Sequence, residues 1–250
     1  LIQAEIQIPA TFKGKSGNQD LQLEAFVVRP DDQQKHPLVI INHGSPRKPA
    51  DRNNVSPIKF IQQAIEFARR GWTAVILIRR GYGESEGSFA ESYGKCDNPD
   101  YTSAGQQTAE DIRQAIAWFV KQPYVQADTI MSVGVSAGGF GTVALTADPP
   151  PGLVAAINFA GGRGSLRQDE VCTEDNLIKA FQSYGERSRV PMLWIYSEND
   201  HFFGPKLARK FHASFSAGGG NASLIQAPPF GDDGHHLFSR PKGIPVWAPY

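Results

Sequence analysis

The pentapeptide Gly134-Val135-Ser136-Ala137-Gly138 follows a strand-like run (129–135) and opens a small-residue stretch with helical spacing (138–146). A serine in this strand, tight turn and helix context is held in a strained backbone conformation, with room for almost no side chain two residues to either side. Its hydroxyl stands at a helix N-terminus, where N–H groups and the dipole favour negative charge. Ser136 therefore reads as a nucleophile, the alternative being a buried serine that merely starts a helix. The same pattern recurs at Gly83-Glu84-Ser85-Glu86-Gly87. There the two carboxylates would oppose an oxyanion and no helical stripe follows, so Ser85 reads as a loop residue.

A serine hydroxyl needs a base to take its proton, and a carboxylate to hold that base in one tautomer. The strand 192–196 runs into Ser197-Glu198-Asn199-Asp200, so Asp200 is the expected orienting acid, with Glu198 as the fallback. After the last strand comes Gly231-Asp232-Asp233-Gly234-His235-His236. His235 is the expected base, because Gly234 before it permits a close approach. Activity should then rise with pH as that imidazole becomes neutral. The tetrahedral intermediate needs two donors. The N–H of Ala137 is one, and the loop Asn42-His43-Gly44-Ser45-Pro46 should supply the other from Ser45, or failing that Gly44. His43 reads as a residue that shapes this loop. The aromatic residues Tyr82, Tyr93, Tyr101, Phe202 and Phe203 fall where the rim of a substrate pocket is expected, although packing would explain them equally well.

These residues need a frame that brings strand ends together. Two alternating segments, 4–8 and 21–28, flank a turn at 13–18 and read as antiparallel strands. Apolar runs at 38–41, 73–78, 129–135, 153–159, 192–196 and 222–226 alternate with helical patterns at 58–68, 109–120, 138–146 and 205–215. Strands alternating with helices predict an α/β fold with a mostly parallel sheet covered on both faces, in which ligands bind beyond the carboxyl ends of the strands. The stretch 173–185 adds a helix, and the insertion around 163–190 is expected to form a small helical cap over the site. The whole of 1–250 is expected to be a single domain.

Composition narrows the partners. Lys and Arg (25) equal Asp and Glu (25), so no net field draws the chain to nucleic acid or anionic membrane, and a small-molecule ester is the expected partner. Nothing in the sequence sets an oligomeric state. The longest uncharged run, 129–147, is broken by four glycines and is not a membrane helix. No metal or other cofactor is expected, since the histidines show no ligand spacing. A nicotinamide site at Gly81-Tyr82-Gly83 is rejected because the next glycine falls one position late and no helix opens there. Cys96 and Cys172 read as one disulfide in an exported (periplasmic or secreted) protein, or as two unrelated thiols in a cytoplasmic one; their turn-rich surroundings favour the disulfide. The chain starts at Leu1 rather than Met, as a processed or trimmed chain would.

His43-Gly44, Arg80-Gly81-Tyr82-Gly83-Glu84-Ser85, the turn around Ser136, Glu198-Asn199-Asp200 and Gly234-His235 together resemble the α/β-hydrolase superfamily, in its dienelactone-hydrolase-like and prolyl-oligopeptidase-like branches. Dienelactone hydrolases carry a cysteine nucleophile where this chain has Ser136. The peptidase relatives add a propeller for which 250 residues leave no room. The resemblance implies a serine hydrolase that cleaves a carboxylic ester through an acyl-enzyme. A small peptidase or amidase, or a non-catalytic binding protein on a hydrolase scaffold, are the alternatives. Relatives usually continue into a final helix beyond the position of Trp247.

Overall fold

The computed structural model describes residues 1–14 and 17–250. The first hairpin pairs β1 (Ile2–Gly14) with β2 (Gly17–Arg29) antiparallel, with Gly14 opposite Gly17. The strands thus run further than the alternating apolar residues suggested and take in most of the expected turn, whose tip at 15–16 lies outside the described residues. Next come β3 (His36–Asn42), α1 (Ile61–Arg69), β4 (Thr73–Leu77), α2 (Tyr101–Phe119), β5 (Val125–Val135), α3 (Ala137–Thr146) and β6 (Leu153–Phe159). A small hairpin, β7 (Ser165–Arg167) and β8 (Glu170–Val171), leads into α4 (Glu174–Arg187), β9 (Met192–Ser197), α5 (Pro205–Ala217), β10 (Ala222–Ala227) and α6 (Ile244–Trp247).

Among the described residues eight strands form one sheet in the order β1-β2-β4-β3-β5-β6-β9-β10, antiparallel through β1, β2 and β4 and parallel from there on. The central strands are apolar throughout because both faces are covered, so successive residues feed different layers. Leu38 and Ile40 pack with Ile112, Phe140, Phe181 and Phe211 of α2 to α5. Val39 and Ile41 pack with Phe67 of α1 and Trp247 of α6 on the opposite face.

Two elements differ from the sequence reading. α4 is not a cap: Leu177, Ala180, Phe181 and Tyr184 are buried in the main core against α2, α3 and α5, so it is part of the helical layer on that face of the sheet. The segment 163–190 adds only the short β7–β8 hairpin. Second, α2 begins two turns before its apolar stripe, capped by the Asp100 carboxylate, which accepts the Ser103 N–H at 2.9 Å. Its first turns bury Tyr101, Ala104, Gly105 and Thr108, small or hydroxylated residues that carry no hydrophobic periodicity.

Candidate active site

Ser136 lies between β5 and α3 with φ 56° and ψ −122°. Such a conformation costs a non-glycine residue on the order of 1–3 kcal/mol, so its surroundings must enforce it. The Ser136 N–H donates to Phe159 O (3.0 Å), and its carbonyl accepts from Phe140 (2.9 Å) and Gly162 (3.2 Å). The flanking glycines are required by contact. A Cβ on Gly138 would collide with the carbonyls of Asn42 and His43, and one on Gly134 with the backbone of Gly138. The Asn42 side chain ties β3 to this turn, donating to Val133 O (3.1 Å), Ser132 Oγ (3.1 Å) and Thr142 Oγ1 (3.3 Å). Ser85, by contrast, is buried in a loop, where its hydroxyl donates to Ile78 O (2.6 Å) and accepts the Glu24 N–H (2.8 Å).

Asp200 and His235, separated by 35 positions, meet at the ends of β9 and β10. His235 Nδ1 lies 3.1 Å from Asp200 Oδ2 and 3.2 Å from Oδ1. The Asp200 carboxylate also accepts the N–H groups of Phe202 (2.7 Å) and Phe203 (2.9 Å). Burial would raise its pKa, but the His235 imidazole and these N–H donors outweigh that and hold it below the ordinary carboxylate range. Glu198 is exposed. Ser136 Oγ and His235 Nε2 make no hydrogen bond among the described residues; such contacts are often long in unliganded enzymes and tighten on binding. Phe202 and Phe203 link the two halves, since both line the cavity that holds Ser136 and both contact the His235 ring.

That cavity, of about 210 Å³, also takes in Ala137, Ser45 and Tyr93. As the first residue of α3, Ala137 has an N–H with no intrahelical partner. The N–H of Ser45 makes no hydrogen bond among the described residues. Gly44 presses directly on the serine: a Cβ there would come within 3.0 Å of Ser136 Cβ and 3.6 Å of its Oγ. The loop is shaped by His43, whose Nδ1 lies 2.6 Å from Gly44 O and whose Nε2 accepts the Arg79 N–H at 3.2 Å. Burial, followed by the charge of Arg79, pulls its pKa down to about 3, so it is a neutral strut.

Two of the expected pocket aromatics lie elsewhere. Tyr82 is fully buried behind the loop, its hydroxyl donating to Ser45 Oγ (2.8 Å) or Glu91 Oε2 (2.9 Å), and its pKa is pushed up to about 12, chiefly by burial. Tyr101 is buried with its hydroxyl on Cys172 O (2.6 Å). Neither lines the cavity. Glu91 went unnoticed in the sequence and is the hub of this wall. It pairs with Arg79 and, at 2.5 Å, with Arg163. Burial opposes its ionisation, yet the two guanidinium groups hold it well below the usual range. Nothing in the irregular loop sequence around Glu91 signals that role.

Sheet, turn and site together define an α/β-hydrolase. The chain belongs to the X-Pro dipeptidyl-peptidase (S15) family, whose model matches residues 19–199 and so ends immediately before Asp200 and well before His235. Solved structures with the same fold include an esterase of Pyrococcus furiosus (12% identity, TM-score 0.63, 95% of this chain and 86% of that one). A Klebsiella pneumoniae chain assigned as a dienelactone hydrolase is 15% identical, with TM-score 0.61, 99% of this chain and 100% of that one. The acylaminoacyl peptidase of Pyrococcus horikoshii is 18% identical with TM-score 0.62 over 95% of this chain, which spans only 39% of that enzyme. No curated protein matches the sequence.

Cys96 and Cys172 form a disulfide with Cα atoms 5.0 Å apart. No helix among the described residues is long and apolar enough to cross a membrane.

Proposed function

We propose that the chain is a serine hydrolase that cleaves small carboxylic esters, acting from one domain spanning 1–250. The observation that carries the proposal is the strained Ser136, which lines a cavity together with Ala137 and Ser45, the two residues whose N–H groups are the expected oxyanion donors. His235 takes the proton as Ser136 Oγ attacks the ester carbonyl, and Asp200 holds the imidazole with Nε2 toward the serine. The carbonyl oxygen becomes negative between the two N–H donors. His235 then returns the proton to the departing alcohol, leaving an acyl-enzyme. A water molecule, activated by the same imidazole, hydrolyses it.

Ester cleavage is favoured over removal of dipeptides from a free amino end because, among the described residues, three arginines and no carboxylate line the cavity, the buried Glu91 being already paired with Arg79 and Arg163 behind it. A peptide ammonium would meet like charge there. The disulfide supports an oxidising, extracytoplasmic location, since such bonds rarely persist in the cytosol. A fluorophosphonate probe should label Ser136, and an ester panel should be turned over by the native protein but not by Ser136→Ala. A folded protein that takes no label is a binding protein instead.

A further inference from the structure

The wall of the Ser136 cavity carries more positive charge than its own carboxylates neutralise. Arg163, 5 % exposed, shares Glu91 with Arg79, so two guanidinium groups meet one carboxylate. Its Nε is buried without a hydrogen-bond partner among the described residues. Arg52 lies over the Phe89 ring, 3.4 Å from the centroid, and its Nε is likewise buried and unpartnered. Arg47 covers the Phe202 ring at 3.6 Å and donates to Ser165 Oγ at 2.8 and 3.2 Å. Neither Arg47 nor Arg52 makes an ion pair among the described residues, and all three arginines line the cavity that exposes Ser136.

Three cations around about 210 Å³ repel one another, and two of them, Arg47 and Arg52, have no carboxylate partner among the described residues to offset that repulsion. Stacking on Phe89 and Phe202 holds two of the planar forks in place; Arg52 makes no side-chain hydrogen bond among the described residues, and Arg47, whose Nε and Nη2 are on Ser165, keeps Nη1 for a ligand. A small anion satisfies this arrangement, and a carboxylate matches the guanidinium fork with two parallel hydrogen bonds.

We propose that the cavity binds a carboxylate carried by the ester itself, so that the substrates are small anionic esters: monoesters of dicarboxylic acids or esters of hydroxy-carboxylic acids. This rests on the reading of Ser136 as an ester-cleaving nucleophile. The arginines anchor the far end of the substrate while the ester carbonyl lies at Ser136.

The test compares each anionic ester with a neutral counterpart: mono-para-nitrophenyl adipate with para-nitrophenyl hexanoate, and para-acetoxybenzoate with its methyl ester. In at least one pair the anionic member is expected to have a kcat/KM about tenfold higher or more, through KM, as a charge-assisted hydrogen bond can supply. The preference should shrink at high salt, because part of it is long-range attraction. Arg52→Gln and Arg47→Gln should each lower the anionic-to-neutral ratio by about tenfold. Equal or faster turnover of the neutral ester in both pairs overturns the inference while ester hydrolysis itself stands. If nothing is turned over and Ser136 takes no fluorophosphonate, the ester reading is what fails. The anion site is then decided separately by calorimetry of adipate binding to Ser136→Ala. Binding that Arg52→Gln weakens supports the site, and the absence of binding overturns it.

Discussion

Phe202 lies flat on the imidazole of His235, with ring centroids 3.9 Å apart and planes 9° from parallel. The Arg47 guanidinium sits 3.6 Å from the same phenyl centroid, too close to share that face with the imidazole, so Phe202 is sandwiched between the expected base and a cavity cation. The phenyl thus steadies two groups with different roles, both from a backbone position whose N–H is fixed by Asp200. Phe202→Ala should lower kcat/KM for a neutral ester by about threefold to tenfold, the size of one aromatic pairing. Steady-state kinetics on a variant whose circular dichroism is native would check it; unchanged kinetics would mean that the stack does not orient the imidazole.

The Asp200–His235 pair makes a sharper prediction. Asp200→Asn keeps the shape and can still accept the Phe202 and Phe203 N–H groups, but it favours the wrong imidazole tautomer. By analogy with serine-protease triads, kcat should fall by about 10⁴-fold with little change in melting temperature. Pre-steady-state release of nitrophenol from an activated ester would show whether acylation is the step lost.

The disulfide closes a long loop, its cysteines 76 positions apart, and ties the segment after Glu91 to the strand after Ser165, two parts of the cavity wall. Chain-entropy reasoning gives about 4 kcal/mol for such a link. The double variant Cys96→Ser, Cys172→Ser should therefore melt roughly 10 °C lower. Calorimetry with and without reductant separates the bond from the substitutions: reductant should lower the native protein's melting temperature and leave the variant's unchanged.

His43 should make the fold acid-sensitive. In the folded chain its pKa is about 3, whereas an exposed imidazole in the unfolded chain takes up a proton near 6.5. Between these values only the unfolded chain binds that proton, so stability is fully present above the unfolded pKa and is lost as pH falls toward the folded one. The loss from this group should be about 2 kcal/mol between pH 7 and pH 5, at about 1.4 kcal/mol per unit. His236, also lowered by burial, adds to the same window. The test is therefore the comparison of urea unfolding at both pH values for the native protein and His43→Gln, in which the slope should be smaller.

Much of the site was legible before any coordinates because its signals are local. The turn around Ser136 is written in about ten residues: an apolar strand, two glycines that must admit neighbouring backbone, and a small-residue helix. Asp200 and His235 follow segments that read as strands alternating with helices, and a parallel sheet gathers the carboxyl ends of such strands on one edge. Chain periodicity cannot report which distant segments meet. Tyr82 and Tyr101 have the composition of pocket residues, yet their hydroxyls are used on Ser45, Glu91 and Cys172. The polar start of α2 and the placement of α4 in the core were likewise decided by what packs against them. The arginine-rich wall follows the same logic. Arg79, Glu91 and Arg163 are unremarkable charges in a neutral sequence, and only folding, by removing water from three loops at once, turns them into a buried and under-neutralised cluster beside the serine.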